Sequence, residues 1–127
     1  MFAFLGKTDL EDIINQSSNA IHIIIDDSIY GKAELINTIN SRINSPYSND
    51  NWDGFQEALI DLSWLKETIF LVHFNLPILG DKDLYTYLSV LHHAVKEWNN
   101  ELHSPLKVYF VNQLANTVET ILQTIWQ

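Results

Sequence analysis

The chain of 127 residues has no cysteine, which removes disulfide scaffolds and thiolate metal sites from consideration. Its four glycines and three prolines are scattered, so neither a glycine-rich phosphate loop nor a flexible linker is present. Positive charge is scarce: 7 lysines and arginines stand against 16 acids, a formal charge of −9. Nucleic acid and anionic membrane surfaces would be repelled by that balance, whereas a basic protein would be attracted. The longest apolar stretches are strand-sized, far short of the roughly 18 residues that span a bilayer. Met1 to Gly6 lacks a basic leader and Thr8-Asp9-Leu10-Glu11 reads as a helix capping box, so a soluble cytoplasmic protein without signal peptide is expected. One domain of this length buries a core without metal or disulfide help.

What is present alternates between strand and helix. Ala20 to Ile25, Ile69 to Phe74 and Leu106 to Val111 are short runs rich in β-branched and aromatic residues and read as buried strands. Between the first two, Leu35, Ile39 and Ile43 recur four apart within a helix expected over about Ala33 to Ile43, and a second helix follows at Trp52. From Asp83 to Leu102 the apolar positions Leu84, Leu88, Leu91, Val95, Trp98 and Leu102 mark a long helix. A closing helix is expected over Leu114 to Trp126. Strands separated by helices imply parallel pairing, hence an α/β fold with a small three-stranded parallel sheet flanked by helices.

The segment Pro46 to Trp64 carries the most information. Trp52, Phe55, Leu59 and Leu62 form an apolar stripe, while Asp53, Glu57 and Asp61 recur every four residues on the other side. At about 100° per residue the three carboxylates fan over only about 80° of the helix, and Trp64 returns near the direction of Asp53. Like charges four apart cost a helix roughly 0.2–0.5 kcal/mol per pair, so folding alone does not select them. Asp53 has a local role beside the helix dipole, with Asp50 or Asn51 as N-cap, but Glu57 and Asp61 have none. The plain alternative is a solvated acidic face.

Catalytic patterns are missing. His22 and His73 fall inside strands, as hydrogen-bonded core or edge residues rather than ligands, and the adjacent His92 and His93 point about 100° apart and cannot readily share a metal. No serine sits in a nucleophile elbow, and carboxylates on a convex ridge lack the enclosed setting that acid–base work needs. No enzyme activity, metal or cofactor is expected.

The order Tyr47, polar turn, Asn51-Trp52-Asp53, Phe55 and Glu57 resembles the barstar family, intracellular inhibitors of secreted guanyl-type ribonucleases. Upstream, Asp27-Ser28-Ile29 and Glu34-Leu35 followed by Ile39 and Ile43 are similar to that family's first turn and helix. The resemblance covers Ala20 to Trp64 by pattern and continues to Val111 by order of elements. It implies one barstar-like domain over 1–127, with an N-terminal extension over 1–19 and a C-terminal helical extension over 112–127. It also implies an immunity protein whose loop and second helix plug the active site of a basic ribonuclease or related nuclease toxin. The partner-binding residues would be Tyr47 and Asn51 in the loop, Asp53 flanking, Glu57 as phosphate mimic, then Asp61 and Trp64, with Glu97 and Glu101 from the long helix. Where the family usually has a second loop aromatic and a glycine, this chain has Ser48 and Asn49. That departure keeps a rival reading open, a non-inhibitory oligomeric or regulatory module such as a homodimer.

Overall fold

The structure is a computed structural model that describes residues 2–16, 18–47, 50–98 and 104–125. Its elements run β1 (Phe2–Leu5), α1 (Lys7–Gln16), β2 (Ala20–Ile25), α2 (Lys32–Ile43), α3 (Trp52–Asp61), β3 (Thr68–His73), α4 (Asp81–Trp98), β4 (Leu106–Val111), a single 3-10 turn (Asn112–Leu114) and α5 (Ala115–Ile125). The sheet has the order β1-β4-β3-β2 and every pairing is parallel.

The expectation of three strands is corrected to four. Phe2–Leu5 pairs along β4 from Phe2↔Val108 to Leu5↔Val111. Four residues are too few for period-two alternation to register in the sequence, and the strand is recognisable only through the partner it meets. The capping box is corrected too: α1 begins at Lys7, and the amide of Leu10 donates to the Gly6 carbonyl at 3.0 Å. Thr8 therefore stands inside the first turn.

Parallel strands are buried on both faces, and the helices divide accordingly. On the first face Ile23, Ile25, Leu71, Val108 and Phe110 meet Leu35, Ile39, Phe55, Leu59, Leu88, Leu91 and Val118 of α2, α3, α4 and α5. On the second face α1 lays Leu10, Ile13 and Ile14 over Val72, Tyr109 and Val111. The segment read as an N-terminal extension thus supplies an edge strand and the cover of one sheet face. Chain stretches Leu102 and Trp126, expected at helix ends, lie outside the described residues.

His73 is fully buried at the end of β3. Its Nδ1 lies 3.0 Å from the Tyr109 carbonyl and its Nε2 lies 2.6 Å from the Tyr87 hydroxyl. A carbonyl only accepts, so Nδ1 carries the proton and Nε2 accepts from the Tyr87 O–H; both polar groups are satisfied with the ring neutral. Burial holds its pKa down, from 6.5 to about 4. The ring stacks on Phe110 at 4.2 Å between centroids.

Candidate functional site

The α3 helix exists because its two ends are closed and one face is apolar. Asn51 is the N-cap, its side-chain oxygen accepting from the Gly54 amide at 2.8 Å. At the other end Leu62 takes a left-handed conformation, φ 47°, and its amide donates to the Ala58 carbonyl. Phe55, Ala58 and Leu59 are buried. Trp52 is half-buried beside Phe55 and Tyr87, its indole N–H donating to Asp83 at 3.3 Å and the Lys32 ammonium lying 5.9 Å from its ring. At the far end the Trp98 indole N–H donates to the Leu59 carbonyl at 2.8 Å. Two tryptophans therefore pin α3 to α4 at both ends, and the helix is held as a rigid body.

On this mount Asp53 and Glu57 are exposed, and Glu57 has no hydrogen-bond or ion-pair partner among the described residues. Asp61 differs. It is half-buried and accepts a hydrogen bond from the Tyr47 hydroxyl at 3.0 Å. That bond, with the nearby negative charge, raises the Tyr47 pKa above its usual 10. Asp61 thus ties the loop before α3 onto the helix, a role its spacing did not reveal.

Trp64 requires a correction. The helix ends at Asp61, so Trp64 does not continue the ridge in the direction of Asp53. Its indole N–H donates to the Ile43 carbonyl at 2.7 Å and its ring lies 6.1 Å from that of Tyr47. It anchors the loop between α2 and α3 from below. Leu62 misled the reading, because a leucine in a left-handed cap still falls in step with the apolar stripe.

Glu97 is exposed on α4 one residue before Trp98 and lies 3.9 Å from His93. It shares the end of α4 that packs on α3. Glu101, Ser48 and Asn49 lie outside the described residues. Three positions that the sequence patterns did not single out shape the site: Lys32, Asp83 and Tyr87. Tyr87 was the most accessible of them, since it is three residues from Leu84 and four from Leu91 and falls on the same helix face.

Among the described residues no three histidines, aspartates or glutamates come together to hold a metal ion. No helix there is long and apolar enough to cross a membrane.

The structure is thus a small parallel α/β fold that holds α3 at both ends with Asp53 and Glu57 exposed on it. The sequence profile described as Barstar (barnase inhibitor) matches residues 19–111, most of the chain, and the protein belongs to the barstar family. No curated protein and no solved structure matches it. The family segment begins just before β2, so β1, α1 and α5 lie outside it.

Proposed function

We propose that this protein is an intracellular immunity protein that occludes the active site of a basic ribonuclease with α3 and the loop before it. The observation that carries the proposal is Glu57: an exposed carboxylate without a hydrogen-bond or ion-pair partner among the described residues, at the centre of a helix fixed at both ends, in a chain of the barnase-inhibitor family. A ribonuclease holds the RNA phosphate with cationic side chains, and a rigidly presented carboxylate replaces that phosphate at little cost in ordering. Asp53 flanks it, Tyr47 and Asn51 shape the loop, Asp61 preorganises Tyr47, and Glu97 extends the negative field from α4.

The mechanism involves no bond making. The charge of −9 accelerates encounter with a cationic enzyme, and buried charge pairs then slow release. The test is inhibition: RNA cleavage by a basic ribonuclease retained on this protein from a lysate is titrated with wild-type protein and with Glu57→Ala. Stoichiometric inhibition by the wild type and a rise of several hundredfold in the inhibition constant for the variant support the reading. Equal inhibition by both proteins removes Glu57 from the site.

A further inference from the structure

The β1–α1 unit does more to the sheet than cover it. Within the family segment the connections after β2 and β3 run over the first face, whereas α1, which follows β1, lies on the second. The chain leaving β4 returns to the first face, where Val118 and Leu122 of α5 join that core. Neighbouring strands β1 and β4 therefore send their chains to opposite faces, which makes a topological switch point at their carboxyl ends. Crevices at such points are where open parallel sheets bind ligands.

A cleft of about 550 Å³ lies there, within the size range of small-molecule sites. Its lining is bipolar. Lys7 follows β1, Asp26 follows β2 at the opposite edge, and Glu11 stands one helical turn along α1 from Lys7. Between them Phe74 and Leu114 supply an apolar floor and Gln113 an amide. One oxygen of Asp26 accepts from the amide and hydroxyl of Ser28, which fixes the carboxylate and leaves its second oxygen for a ligand. Those bonds hold its pKa below 3.8, so it is ionised at neutral pH.

Three strand spacings separate the two edges, about 14 Å between backbones. The reach of Lys7 from one side and of Asp26 from the other shortens that gap to the length of two or three extended residues, about 7–10 Å. We infer that the cleft binds a short apolar peptide, its terminal ammonium at Asp26, its carboxylate at Lys7, and its side chains on Phe74 and Leu114. Glu11, one turn along α1 from Lys7, offsets part of the lysine charge, so the ammonium contributes more to affinity than the carboxylate. This site is independent of the nuclease-binding reading, because it sits on the α1 side of the sheet and α3 covers the other.

The test is an NMR titration of the 15N-labelled full chain with leucyl-leucine, its N-acetyl derivative and its C-terminal amide. Expected are saturable shifts at Lys7, Glu11, Asp26 and Gln113 with leucyl-leucine, affinity roughly tenfold or more weaker after acetylation, and a smaller loss on amidation. Asp26→Asn keeps an acceptor for Ser28 while removing the charge, and is expected to match the effect of acetylation. Lys7→Gln, on the exposed start of α1, provides a second variant should Asp26→Asn disturb the fold. Absence of saturable shifts at millimolar peptide, or equal shifts with the acetylated peptide, would overturn the inference.

Discussion

Acidification should destabilise this protein well above the pH at which carboxylates titrate, and His73 sets the size of the effect. In the unfolded chain its imidazole titrates near 6.5; in the folded protein burial lowers this to about 4. Between those values the unfolded state binds the extra proton, so stability is complete above pH 6.5 and falls as pH drops towards 4. A gap of about 2.5 pH units at 1.36 kcal/mol each gives a full loss of about 3.4 kcal/mol, of which about 2 kcal/mol is gone by about pH 5. Against the roughly 5–15 kcal/mol typical of a domain this is a large fraction. Urea unfolding at a series of pH values measures it directly. His92, whose pKa is also lowered by partial burial and by Lys96 and His93, acts in the same direction, so the comparison is made in a His92→Gln background. In that background His73→Gln, although less stable at neutral pH, should lose most of the pH slope between about 6.5 and 4. An unchanged slope would show that His73 is not held neutral by burial and would refute the argument.

Three further predictions concern the frame of the site. Tyr87→Phe removes the hydroxyl that donates to His73 Nε2 and leaves that nitrogen buried without a donor, so denaturant unfolding should show a loss of about 1–3 kcal/mol. Leu10→Ala, in the covered face of the sheet, should cost about 2–5 kcal/mol, whereas a change of under about 0.5 kcal/mol would mean that α1 does not hold that face. Asp61→Asn should lower the Tyr47 pKa in an NMR titration of the tyrosine rings, because the hydrogen bond to the carboxylate is what raises it; no movement would show that the loop is not tied to α3 in this way.

The parts of the fold that were legible in the sequence are those where side-chain chemistry repeats. The β2, β3 and β4 runs and the apolar steps of α2 and α4 carry many residues each, and their register follows from burial on both faces. β1 escaped because four residues carry no usable period. The exposed acids at positions 53 and 57 were legible because charge at helical spacing is itself the signal. The roles of Asp61 and Trp64 were not, since both depend on where α3 stops. That stop is a left-handed leucine, which sequence chemistry does not mark. The roles of Asp83 and Trp98 at the ends of α3 arise between elements remote in sequence and exist only once the elements pack.

The central claim is that the exposed carboxylates of α3 bind a basic ribonuclease. Its most direct test is capture from a lysate of the protein's own source, with wild-type protein and Glu57→Lys as paired baits and RNA cleavage as the assay of what is retained. The account predicts that the wild type alone retains a cationic RNA-cleaving protein, bound less tightly as salt rises. Calorimetry on that pair should show Glu57→Ala costing roughly 2–5 kcal/mol, a magnitude general to buried interfacial charge pairs, of which the barnase complex is itself the reference instance. Retention of the same proteins by both baits, or of further copies of this chain alone, would contradict it.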